Sequence, residues 1–201
     1  MKIGSNIKSS NDLMLKPGIG IAKLTKVEFI KEMKTKKGLL PCIEFTYTNI
    51  PNEKEQEVRT IVDKVFPIAM YLKFDANNPK SVKSFEILAG KLKHVFSTYA
   101  ELPELDGETY EEIFEEYVTL FNALEDFTTK PVWLITAYSG RFQNVPNSAI
   151  RNFIEPYVAG KASNLVLDPN YHKLEPEVIS ANGAAGAPAI DIPQDLSQIP
   201  V

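Results

Sequence analysis

Lys31, Lys34, Lys36 and Lys37 fall within the seven residues KEMKTKK, Lys23 and Lys26 precede them, and Arg59 and Lys64 follow. A strip of cationic side chains along one strand and its turn suits a phosphate backbone, because every phosphate neutralised releases condensed counterions. Aromatic residues are interleaved with these cations. Tyr47, Trp133, Tyr138 and Phe142 are the candidates for exposed rings, with Arg141 beside Phe142 in GRFQN. A base stacked on such a ring gains roughly 1–3 kcal/mol whatever its identity. The competing readings are plain ones. The lysine cluster is then the solvated tip of a hairpin, and Phe142 the buried anchor of an ordinary loop.

Catalytic chemistry finds little support in the same sequence. The two histidines, His94 and His172, lie far apart, and Cys42 sits in a strand pattern that favours a structural thiol. There is no nucleophile elbow, phosphate-cradling glycine loop or paired-histidine helix. Glu111, Glu112, Glu115 and Glu116 share the polar side of a helical stretch, where carboxylates can gather a divalent cation. No histidine or loop-oxygen pattern accompanies them, so a solvated helix face is the expectation. No catalytic residue, no metal and no cofactor is expected.

Net charge over the 201 residues is −4, but it is unevenly spread. Residues 1–100 carry 17 Lys+Arg against 10 Asp+Glu, net +7, and residues 101–201 carry 5 against 16, net −11. The split predicts a basic face with an acidic counterpart or tail. No apolar run approaches the roughly 18 residues that cross a bilayer, and the first residues lack a signal-peptide core. With a single cysteine, the expectation is a reducing, cytoplasmic setting (host cytoplasm if the chain is viral), with no membrane partner.

The elements that must position the cations follow from periodicity. PGIGIAKLTKVEFIKEM reads as a long strand whose apolar parity changes near Thr25–Lys26, which predicts a bulge there. KTKKG is a hairpin turn, and LLPCIEFTYT returns with Ile43, Phe45 and Tyr47 on one side. Pro41 places the beginning of that strand at an edge or bulge. QEVRTIVDKVF is a third strand.

The period then turns helical. Asn78 is set to cap a helix that opens on Pro79 and carries an apolar stripe from Phe85 to Tyr99. Thr109 and Glu112 form a capping box for a second helix, striped by Tyr110, Phe114, Tyr117 and Phe121. Ten acids and no bases lie between 101 and 126. KPVWLITAYSG, apolar on both parities, is a central strand, and SAIRNFIEPYV is a closing one.

The expected fold is mainly β with a helical insertion, an OB-fold-like five-stranded barrel; the alternative is a small α+β sheet packed by two helices. Its domains are an N-terminal arm over 1–16, a body over 17–160 with the insertion at about 80–127, and a flexible C-terminal tail over 161–201. In that tail, Asp191 and Asp195 keep the segment off phosphate, while Ile199 and Val201 offer an apolar end to a protein partner.

PGIGIAKLTKVEFIKEMKTKKGLLPCIEFTYTN resembles the opening hairpin of bacteriophage OB-fold single-stranded-DNA-binding proteins, and KPVWLITAYSG is similar to a later barrel strand of that family. The acidic two-helix insertion and the sparsely acidic tail depart from it. The resemblance implies a non-enzymatic viral protein that binds and protects single-stranded DNA during replication or recombination, with replication proteins as partners of the tail. The alternative is a structural or adaptor protein of a virion or replisome, working through the acidic helices and tail. Whether the chain forms a homo-oligomer is left open.

Overall fold

The computed structural model describes residues 15–36, 38–51, 57–67, 75, 77–140, 142–146 and 152–176. Its elements in chain order are β1 (Gly18–Thr35), β2 (Gly38–Asn49), β3 (Thr60–Val65), α1 (Pro79–Ser97), α2 (Tyr110–Asn122), β4 (Pro131–Ser139), β5 (Phe142–Asn144) and β6 (Ile154–Pro156). All strands join one antiparallel sheet in the order β3-β2-β1-β4-β5, with β6 pairing β4 beside β5. The result is a β-rich α+β fold: an open sheet with two helices inserted between β3 and β4. The edge strands β3 and β5 approach one another, but among the described residues no ladder joins them.

Alternation decides which face is covered. Ala22 and Leu24 are buried, and so are Val27, Ile43, Phe45, Tyr47, Ile61 and Val65. The step from even to odd positions in β1 needs one extra residue, and the β1–β2 register slips between Leu24 and Lys26, with Thr25 as the extra residue. A second slip, between Ile30 and Met33, lies opposite Pro41, whose ring leaves no N–H for the ladder. β4 is central, with β1 on one side and β5 and β6 on the other. Its residues Val132, Leu134, Ile135 and Ala137 are buried on both parities, as its unbroken apolar sequence predicts.

Both helix starts follow their capping residues. The Asn78 side chain accepts the Lys80 N–H, with Pro79 in the first turn. Thr109 and Glu112 form the reciprocal capping box. The helices and the covered sheet face make one core, rich in edge-to-face aromatic pairs. Phe45 meets Tyr117 at 6.1 Å and Phe121 at 6.4 Å between centroids, and Phe29 meets Phe114 at 6.4 Å. The Tyr117 hydroxyl donates to the Leu92 carbonyl at 3.0 Å, tying α2 to α1.

Three differences from the sequence expectations stand out. The GRFQN stretch, for which an ordinary loop was the plain alternative, contains strand β5, three residues being too few to show alternation. Residues 161–176, expected to belong to a flexible tail, pack against the body and make one bridge to β4. Leu165 and His172 are buried, and the Tyr138 N–H donates to the Lys173 carbonyl at 2.7 Å. At the other end, Leu15 belongs to the core rather than to an arm. Its carbonyl accepts from the Gln143 amide, and the Lys16 carbonyl accepts from the Thr136 hydroxyl at 2.8 Å. The rest of the expected arm, and the tail positions Asp191, Asp195, Ile199 and Val201, lie outside the described residues.

Candidate nucleic-acid interface

The candidate cations fall into three places. The first is the β1–β2 turn. Thr35 pairs with Gly38, the Thr35 hydroxyl donates to the Gly38 carbonyl at 2.8 Å, and Gly38 takes φ +110°, a conformation that suits glycine. Lys34 and Lys36 are exposed there, while Lys37 lies outside the described residues. Lys31, closer to the helices, pairs with Glu111 of α2 at 3.2 Å.

The second place is the uncovered face of β1, β2 and β3. Lys26 sits 2.7 Å from Glu28, and Lys64 sits 3.2 Å from Glu44. Glu28 and Glu44 are themselves cross-strand partners, so the expected strip of positive charge is a mixed one. Glu28 holds the Lys26 ammonium above its ordinary pKa, through a hydrogen bond and its charge. Such exposed pairs exchange readily with water and salt, so a phosphate can compete for the lysine, at the cost of freeing the carboxylate. Lys23, on the same strand, has no ion pair among the described residues. Threonines fill much of the remaining surface: the Thr25 hydroxyl donates to the Thr46 carbonyl at 3.1 Å and lies 3.3 Å from the Thr48 hydroxyl.

The third place is the beginning of β1, where Arg59 lines a groove of about 420 Å³ together with Lys16, Ile19, Asn49 and Tyr157. Asn49 organises this end. Its N–H donates to the Arg59 carbonyl at 3.0 Å, its Oδ1 accepts the Arg59 N–H at 2.7 Å, and its Nδ2 donates to the Glu57 carbonyl at 2.9 Å. The Arg59 guanidinium lies 3.4 Å from the Glu57 carboxylate.

The candidate rings separate sharply. Phe142 is 52% exposed at the start of β5, just past the Gly140 turn. Trp133 is half-buried, 5.4 Å from the Tyr157 ring, and Tyr138 is half-buried. Tyr47 is a correction. It is 0% exposed, stacked beside Phe45 on the covered face, and cannot meet a base. Burial pushes its hydroxyl well above the ordinary tyrosine pKa. Arg141 lies outside the described residues.

Three of the four acids of α2 have local work. Glu112 caps the helix and also accepts the Glu108 N–H, Glu116 accepts the Asp106 N–H at 3.1 Å, and Glu111 holds Lys31. Both histidines have local contacts. Burial lowers the His94 pKa against a bond to the Ile154 backbone, and its ring lies 5.4 Å from Phe153. His172 Nδ1 accepts the Asp168 N–H at 2.9 Å. Among the described residues no three or more of His, Cys, Asp and Glu gather as a metal site, and no helix is long and apolar enough to cross a membrane.

Sequence reasoning missed Lys16, Asn49 and Tyr157, which line one groove with Arg59 only through the strand register. No protein-family model, curated protein or solved structure matches the chain.

Proposed function

We propose that this chain binds single-stranded DNA with little base preference and without catalysis, through an OB-like arrangement of its sheet. The strand order carries the reading. A sheet ordered β3-β2-β1-β4-β5, with helices between β3 and β4 and the edges β3 and β5 close together, has the connectivity of a five-stranded OB barrel opened along one seam. In that arrangement the loops joining the first two and the last two strands flank the oligonucleotide. Here those loops are the lysine turn of Lys34 and Lys36 and the turn that presents Phe142. Because β4 runs antiparallel to β1 and extends past Gly18, the two turns lie beyond opposite ends of β1. A strand laid between them crosses the threonine-rich uncovered face. Lysines then neutralise phosphates, and Phe142 stacks on a base.

Filter binding of labelled oligo(dT) across a salt series tests the proposal. The association constant should fall linearly on a log–log plot, with a slope of about −0.7 per phosphate neutralised. A flat response, or no retention at low salt, would exclude it.

A further inference from the structure

We propose that the groove at the start of β1 is a base-binding subsite, in which one unstacked base meets the open backbone edge of Ile19 and Ile21 with its phosphates near Lys16 and Arg59. This rests on the single-stranded-DNA reading above and adds to it a position at the end of β1 remote from the lysine turn.

The edge follows from the ladders. β1 pairs with β4 from Gly18 to Lys23, whereas its pairing with β2 begins only at Ala22 opposite Asn49. Among the described residues, residues 18–21 therefore have a strand on one side alone. The Ile135 N–H donates to the Phe153 carbonyl at 2.8 Å and the Tyr157 N–H donates to the Pro131 carbonyl at 3.1 Å, so the odd residues of β4 turn their polar groups toward β6. Ile19 and Ile21 stand opposite Ile135 and Trp133. By the alternation of an antiparallel ladder, their own N–H and C=O groups face away from β4, into the groove.

Asn49 keeps this edge clear by holding the ends of β2 and β3 to one another. Gly20 keeps the groove roomy, since a Cβ there would meet nothing within 4 Å. Ile50 and Leu134 add apolar walls and Tyr157 a ring, with Trp133 packed against it. About 420 Å³ falls within the range of small-molecule sites.

Length discriminates between two possible occupants. Two open residues span about 7 Å, enough for the hydrogen-bonding edge of one base. An added peptide strand needs a longer ladder, since strands run about 3–10 residues. Cations at the rim and an aromatic wall also suit a nucleotide better than a peptide.

Trp133 is the only tryptophan and packs against the Tyr157 ring that lines the groove, so its emission reports on the groove through that ring. In the full chain, oligo(dT) should quench it and slow amide exchange at Ile19 and Ile21. Gly20→Val fills the groove at a strand position without positive φ. It should weaken oligo(dT) binding about tenfold and abolish the quench, with the melting temperature unchanged. If oligo(dT) binds with a steep salt slope while Trp133 emission and both amides stay unmoved, the subsite is wrong and the DNA reading stands. The amide measurement decides this without any variant. If oligo(dT) does not bind at all, both fall together. If an extended peptide of alternating valine and aspartate protects the two amides and oligo(dT) does not, the groove is a strand-addition site and the proposal is overturned.

Discussion

The Lys91 ammonium of α1 donates to Asp63 Oδ1 of β3 at 3.1 Å, with Oδ2 at 2.8 Å, and both side chains are buried. The same ammonium lies 5.7 Å from the Phe153 ring centroid, so one cation joins helix, edge strand and the segment before β6. Removing one partner strands a charge in the core. Lys91→Met alone should lose about 3–5 kcal/mol in urea unfolding, whereas Lys91→Met with Asp63→Leu should be near neutral or more stable. Equal losses in the single and double variants would mean that the pair contributes attraction rather than fixing position.

Tyr47 and Phe142 make opposite predictions. Among the described residues the buried Tyr47 hydroxyl has no hydrogen-bond partner, so Tyr47→Phe removes an unsatisfied group. That variant should keep oligo(dT) affinity and hold or raise the melting temperature. Phe142→Ala should lower affinity by roughly 5- to 150-fold, the equivalent of 1–3 kcal/mol of stacking. The salt slope should hardly change, because stacking releases no counterions. Titrating both variants at two salt concentrations checks all of this.

Burial sets an alkaline limit. It raises the Cys42 thiol from 9.0 to about 11 and lifts the Tyr47 and Tyr117 hydroxyls well above 10.0. A group whose pKa is raised by folding contributes its stability fully below its unfolded value and loses it as pH climbs toward the folded one. The urea midpoint should therefore fall as pH rises from 9 through 11. At pH 8, Cys42 should react with Ellman's reagent only on unfolding. Rapid modification of the native chain would contradict the burial.

What was legible in the sequence was what periodicity or a local cap encodes. The parity change at Thr25 announced a bulge, Asn78–Pro79 and Thr109–Glu112 announced two helix starts, and the doubly apolar β4 announced a central strand. The exposed place expected for Tyr47 conflicts with the alternation that aligns it with Ile43 and Phe45, and burial follows the alternation. The second bulge was marked only by Pro41. Residues 161–176 follow no period, so nothing announced the burial of Leu165 and His172. The pairing of Lys64 with Glu44 was hidden for a different reason. Glu44 approaches Lys64 only because β2 and β3 pair in one particular register, and spacing along the chain does not contain it.

That register separates two kinds of lysine and yields the sharpest test. Lys34 and Lys36 are exposed at the turn, and Lys26 and Lys64 sit on the sheet beside Glu28 and Glu44. Lys34→Ala with Lys36→Ala should shrink the salt slope by roughly 0.7 for each phosphate that is no longer neutralised, and leave the urea midpoint unchanged. Lys26→Ala with Lys64→Ala should weaken binding mainly by uncovering two carboxylates on the face that the strand crosses. Adding Glu28→Gln and Glu44→Gln to that variant should then recover most of the affinity. If the fourfold variant stays as weak as the double, Lys26 and Lys64 touch phosphate directly despite their partners, and the path of the strand runs over them rather than from turn to turn.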